Sequence, residues 1–165
     1  MTRCLVLIFI LVASLCLNSC NHVQKQDPMQ SPMQQEQMIA ALRGAYAAFN
    51  RGDIDAAVEP LDDQIEWIEP TEFPGGGTYH GRDGAKRYLT QSRAGLAEGT
   101  SEPEKFIVAG NRIVVFVHAH VRPKGSSEWL DVWLADVYTV RDGKAIQMRA
   151  FTDRQQALRW AGVKD

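Results

Sequence analysis

The chain has 165 residues, 45% of them hydrophobic and 23% charged, with 18 Lys and Arg against 20 Asp and Glu. That length holds one ordinary domain with a short appendage. A formal net charge of −2 with no basic block gives no pull toward nucleic acid, and the apolar content excludes disorder throughout.

Arg3 is the only charge before position 25, and Cys4 to Leu17 form an almost unbroken apolar run. As a helix this run would span about 21 Å, short of the ~30 Å hydrocarbon core. A positive start, a short apolar stretch and then small or polar residues describe an export signal rather than a membrane span. The run closes with Leu17-Asn18-Ser19-Cys20, which resembles a bacterial lipobox. That resemblance implies a lipoprotein signal peptide over 1–19, removed before Cys20, whose thiol then carries lipid and anchors the protein to a membrane of the bacterial cell envelope. The alternative is an ordinary signal with an incidental Cys20, and secretion after cleavage. All three cysteines (Cys4, Cys16, Cys20) lie in this segment, so a disulfide framework, a thiolate metal site and a cysteine nucleophile are excluded from the rest.

Residues 20–35 then comprise the lipidated cysteine and a Gln- and Pro-rich tether, leaving 36–165 as the folded domain. Met38, Ile39, Leu42, Ala45, Tyr46 and Phe49 recur at helical spacing and predict a helix over 36–50, ended by Gly52. Asp53 caps a short second helix, 54–58. Gln64 to Glu69 reads as a strand closed by Pro70, followed by a Gly- and Pro-rich loop over 70–82. Residues 83–96 form a third helix. Strands follow at 106–109, 113–122, 129–140 and 144–151, separated by turn signals, with a last short helix over 154–161. Helices first and a meander of strands afterwards give an α+β fold, one curved antiparallel sheet wrapping helices.

Three stretches carry a family likeness. They are Tyr46-Ala47-Ala48-Phe49-Asn50-Arg51-Gly52-Asp53, Gly77-Thr78-Tyr79-His80-Gly81, and Val137-Tyr138-Thr139-Val140-Arg141-Asp142-Gly143-Lys144, with Phe151-Thr152-Asp153 closing the series. In this order and spacing the chain resembles the SnoaL-like branch of the nuclear transport factor 2-like superfamily over about residues 36–160. The resemblance implies a cone-shaped fold, three N-terminal helices packed on the curved antiparallel sheet around a cavity, and a homodimer. Family members include ketosteroid isomerase, polyketide cyclases and non-catalytic binding modules, so the likeness alone does not choose an activity.

Glu69 ends an apolar strand before Pro70, where the resemblance places the general base of ketosteroid isomerase. A carboxylate in an apolar site has its charged form disfavoured, which suits proton abstraction. Asp136 sits between apolar neighbours and matches the acidic oxyanion donor of that enzyme, whose protonated aspartic acid is a known example of such tuning. By ungapped counting the enzyme's helix tyrosine falls on Ala45. Tyr46, one position later, is rotated by about 100° and is expected to point elsewhere. His118 is the candidate third catalytic group, as a hydrogen-bond donor or proton shuttle. The His118–His120 pair lacks further ligands at recognisable spacing, so no metal and no cofactor are expected.

Tyr46, Phe49, Trp67, Tyr79, His120 and Tyr138 are candidates for lining the ligand space. Strand parity puts Asp136 and Tyr138 on one face and Trp129 and Trp133 on the other, toward a dimer partner. The expected function is therefore an exported, membrane-tethered domain whose cavity binds a small, mostly apolar ligand, with proton-transfer chemistry of the isomerase or cyclase type. The alternative is a non-catalytic ligand- or protein-binding module of the cell envelope.

Overall fold

The computed structural model describes residues 31–163; the expected signal peptide, Cys20 and the expected tether up to residue 30 lie outside the described residues. The first helix, α1, runs Pro32–Asn50 and so begins inside the expected tether. Ser31 is its N-cap, its hydroxyl accepting the Gln34 N–H at 3.3 Å, and Pro32 fills the first-turn position where a missing N–H costs nothing. The Gln-rich stretch that composition marks as a linker is thus helix from Pro32 onward, because a cap and good helix formers outweigh its polarity. Asp53 caps the one-turn helix α2 (Ile54–Ala57), accepting the Ala56 N–H at 3.2 Å.

Strand β1 (Leu61–Glu69) leads to β2 (Gly77–His80), helix α3 (Gly81–Ala94), and then β3 (Leu96–Ala109), β4 (Arg112–Pro123), β5 (Leu130–Arg141), β6 (Lys144–Phe151) and helix α4 (Arg154–Ala161). The result is an α+β fold with one curved six-stranded sheet in the order β2-β1-β6-β5-β4-β3. Two expectations need correction. The sheet is mixed, since β1 lies parallel to β6 while all other neighbours are antiparallel. Second, α3 follows a hairpin rather than a lone strand, and α4, the last of the four expected helices, packs on the opposite face of the sheet instead of with the other three.

β2 falls inside the expected loop, and β3 starts ten residues before the expected strand at 106. Both are edge strands, so polar and Pro residues that argue against a central strand are tolerated there. Pro103 sits where the β3–β4 register slips by one residue. At the β5–β6 hairpin both Asp142 (φ 51°) and Gly143 (φ 73°) are left-handed, as a tight two-residue turn requires.

The inner face of the sheet and helices α1 and α3 enclose the main core. Leu42, Leu61, Ile65, Ile113, Val115 and Met148 are fully buried there, each contributing about 1.5–3 kcal/mol. On the outer face, Val114, Ala135 and Val137 pack against Ala157 and Ala161 of α4.

The free edge of β3 is closed by a single side chain. Asn50 accepts the Ser101 N–H at 2.8 Å and donates its amide to the Ser101 carbonyl at 3.1 Å, pairing with that residue as a neighbouring strand would. Asn50→Ala leaves both half-buried backbone groups unmatched. It is expected to cost about 1–3 kcal/mol in urea unfolding and to raise self-association of the unpaired edge; an unchanged midpoint would show that water replaces the amide at no cost.

Candidate functional site

Alternation along β1 turns Ile65, Trp67 and Glu69 inward. The parallel register Ile68 to Arg149 sets Glu69 beside Ala150, and the antiparallel register sets Ala150 beside Asp136. The two acids therefore share the inner face, two strands apart, with about 10 Å between their backbones and only the methyl of Ala150 between them.

Glu69 is 8% exposed and accepts the Trp67 indole N–H at 2.7 Å, while the Tyr88 hydroxyl faces the same carboxylate. Behind it lies a cluster of mutually tilted aromatic rings, Trp67 to Tyr88 at 6.2 Å and Tyr88 to Tyr79 at 5.1 Å between ring centres. Asp136 accepts the Tyr46 hydroxyl at 2.5 Å, and the Tyr138 hydroxyl donates to Tyr46 at 3.3 Å. Asp136 and Tyr46 lie deep in the fold yet keep part of their surface open, so they border internal space rather than packed side chains.

Electrostatics follow from this burial. Desolvation, and then the charge of Asp136, push the Glu69 carboxyl up to about 8, against the stabilising hydrogen bonds from Trp67 and Tyr88. Asp136 rises to about 6 by desolvation, opposed by the Tyr46 hydrogen bond. Burial and the nearby Asp136 charge hold the Tyr46 and Tyr138 hydroxyls well above the usual phenol range. Between about pH 6 and 8 the two acids together hold one proton, resting on Glu69.

The structure places the sequence candidates unevenly. Glu69, Asp136, Tyr46, Trp67 and Tyr138 converge, with Tyr79 one ring away behind Tyr88. Tyr46 departs from its expected direction: it continues the buried Met38–Leu42 stripe at four-residue spacing, and that stripe rather than an ungapped count aims it at Asp136. Phe49 is half-buried and does not join the residues packed around the acids.

His118 and His120 are a correction. Val115, the cross-strand neighbour of Asp136, points inward, so strand alternation sends both histidines to the outer face, away from the acids. There His118 Nε2 and His120 Nδ1 both meet Asp131 Oδ1, at 2.7 and 3.0 Å, and the rings stack on Trp133 and Trp129 with centres 4.8 and 4.5 Å apart. Tyr88 joins the site without having stood out as a candidate in the sequence. Its place on the buried face of α3, with Ala85, was the available signal, but not its contact with Glu69.

The space against Tyr46, Trp67 and Tyr138 measures about 40 Å³, walled by Leu42, Leu61 and Leu89. A wider groove of about 560 Å³ lies elsewhere, between α1 and β3, lined by Arg43, Asn50, Arg51, Thr100 and Glu102. Among the described residues no group of three or more His, Cys, Asp or Glu side chains is arranged to hold a metal ion, and no helix is long and apolar enough to cross a membrane.

Comparison with known proteins accounts for this architecture. A family model for the SnoaL-like domain matches residues 42–148, well over half of the chain. This protein belongs to the SnoaL-like domain family. Among solved structures, the SnoaL-like chain is similar to an NTF2-like protein of unknown function from Burkholderia pseudomallei K96243, with 25% identity and a TM-score of 0.64 over 74% of this chain and 95% of that one. It is also similar to TerC co-crystallised with polyporic acid, at 27% identity and a TM-score of 0.63 over 76% of this chain and 98% of that one. A protein of ketosteroid isomerase-like fold from Catenulispora acidiphila, in complex with trimethylamine, aligns with a TM-score of 0.61 over 77% of this chain and 93% of that one; at 15% identity it shows the fold alone. Among curated proteins nothing matches.

A stability test isolates Glu69. Its folded pKa of about 8 lies above its ordinary value of 4.5, so the native state binds the extra proton between these limits and stability falls as pH rises through that window. Wild-type protein is expected to lose about 2–4 kcal/mol of unfolding free energy between pH 5 and pH 8, and Glu69→Gln clearly less. Equal losses in urea unfolding would place the buried proton elsewhere.

Proposed function

We propose that this SnoaL-like domain is exported and membrane-tethered, and that its interior takes a small, mostly apolar ligand and moves a proton on it, as an isomerase or cyclase does. The observation that carries the reading is the pair of buried acids, Glu69 and Asp136, on one sheet face with a Tyr46–Tyr138 relay attached to the second. Aromatic and aliphatic walls suit an apolar ligand, and the family and fold agree with a ligand-binding or isomerase-like role.

The chemistry needs a carboxylate to take a proton from carbon and a donor to hold the oxygen that becomes negative. The resting proton sits on Glu69, so the productive form is the one in which Asp136 carries it and Glu69 is ionised. From about 8 and about 6 the cost of that shift is at most about 3 kcal/mol. It is a ceiling because part of the rise at Glu69 is the charge of Asp136, which vanishes once Asp136 is protonated. Glu69 then accepts the C–H proton, Tyr46 and protonated Asp136 hydrogen-bond the enolate oxygen, and Glu69 returns the proton to a different carbon. His118 has no part in these steps.

Exchange of substrate hydrogen for deuterium in D₂O, with small cyclic enones and phenols as trial ligands, tests the reading. The rate is expected to peak where the pair holds one proton, between about pH 6 and 8, and to fall by about 10²–10⁴-fold in Glu69→Gln. The second reading, a non-catalytic binding module, draws on TerC, the similar protein co-crystallised with polyporic acid. Binding that survives Glu69→Gln, with no exchange in any protein, would establish it and sink the enzyme.

The address and the partner belong to the same proposal. The Leu17-Asn18-Ser19-Cys20 pattern supports a lipid anchor on Cys20 in the bacterial envelope. Metabolic labelling with palmitate is expected to mark the full chain and to fail in Cys20→Ser; label on both would place the lipid elsewhere. Trp129 and Trp133, 44% and 51% exposed on the outer sheet face, support a homodimer, for which the mass in solution is the check, a monomer refuting it.

A further inference from the structure

The groove between α1 and the edge strand β3 has no part in the chemistry of the buried acids. At about 560 Å³ it nevertheless falls within the size range of small-molecule sites. Arg43, Ala47 and Asn50 recur at three- to four-residue spacing along α1 and form one wall, and Thr100 and Glu102 stand on the other. The two walls run antiparallel, since Asn50 meets Ser101 and Glu102 at one end while Arg43 meets Phe106 at the other. The paired hydrogen bonds between Asn50 and the Ser101 backbone fix their spacing.

The groove carries opposite charges at its two ends, and neither is answered from within the protein. Arg43 holds its guanidinium over the Phe106 ring, 4.7 Å from the ring centre, and among the described residues it pairs with no carboxylate. A ring face supports a cation without neutralising it, and the N–H edge of the guanidinium stays available to a planar anion. At the other end Glu102 accepts the Asn50 amide at 3.2 Å and has no cation. Its cross-strand neighbour His118 turns to Asp131 instead, and Arg51, the other cation of the groove, is taken by Asp53 at 3.1 Å.

The distance between these charges sets the length of what can bridge them. Seven helical residues from Arg43 to Asn50 span about 10 Å, and four strand residues from Glu102 to Phe106 span about 13 Å. With a hydrogen bond of about 3 Å at each end, about 4–7 Å remains, the length of two extended residues at about 3.5 Å each.

We propose that this groove binds a dipeptide-sized zwitterion, its carboxylate on Arg43 and its ammonium on Glu102, with the middle of the ligand over Ala47. Glu102 repels a plain anion and Arg43 a plain cation, so the pair selects for a ligand that carries both charges. A free amino acid is too short to reach both ends, and a terminus of a larger protein brings only one of the two charges.

The test uses the full-length protein, L-alanyl-L-alanine, and the same dipeptide acetylated at its amine or amidated at its carboxylate, followed by NMR chemical shifts. Saturable shifts are expected at the backbone amides of 47–51 and 100–102. Each blocked form should bind wild type about tenfold more weakly. Glu102→Gln should abolish the difference made by acetylation, and Arg43→Gln the difference made by amidation, because each removes the partner of that charge. Both side chains are exposed, so neither change disturbs the core. Blocked dipeptides that bind wild type as tightly as the free one overturn the proposal. Saturable shifts confined to residues around Glu69 and Asp136 overturn it as well, since they place the ligand in the interior. No saturable shift at millimolar dipeptide overturns the site altogether.

Discussion

Two carboxylates on one buried sheet face cannot both be charged without water, and the rest of this structure can be understood as the arrangement that makes their burial tolerable. Each acid has its own donor, an indole N–H for Glu69 and a phenol for Asp136, and each donor comes from the apolar packing itself. Trp67 is a core residue, 6% exposed, that turns its polar edge to Glu69, and Tyr46, which donates to Asp136, is itself backed by the buried hydroxyl of Tyr138, 5% exposed. The pair still keeps a proton between them, because hydrogen bonds offset only part of the desolvation.

That arrangement explains why small residues occur where larger ones would pack. Ala150 stands between the acids with its neighbour strands in register on both sides. A leucine there would set a large side chain on the strand between the two acids. The helices serve the same end, α1 by sending Tyr46 down the Met38–Leu42 stripe and α3 by supplying Tyr88. The outer face follows a different logic: histidines, tryptophans and one aspartate satisfy one another there at the surface, independent of the interior acids.

Much of this was legible in the sequence, and the misses have causes. Period-2 alternation set Asp136 and Tyr138 on one face of β5 and Trp129 and Trp133 on the other, while Glu69 stood out by its place before Pro70 and by the family likeness. Strand pairing was not legible, because the parallel β1–β6 contact joins segments some 80 residues apart that share no local signal. Edge strands β2 and β3 were obscured by polar and proline content that only an edge allows. For His118 the alternation is in the sequence itself: Ile113, Val115, Val117, Ala119 and Val121 form the apolar face of this strand, and His118 and His120 take the other. For Tyr46 an ungapped comparison outweighed the helix stripe that pointed correctly.

The β1–β6 pairing has a consequence for how the chain acquires its chemistry. Trp67 meets Met148 only after everything between them has been laid down, and Glu69 is brought beside Ala150 in the same event. Before that closure the glutamate stands in water as an ordinary, ionised side chain at neutral pH. Pairing of β1 with β6 therefore favours the protonated glutamate at neutral pH, since burial raises its carboxyl to about 8. Folding is thus linked to the uptake of a hydrogen ion at neutral pH, so the acidity of the medium shifts the balance between the folded and the open chain.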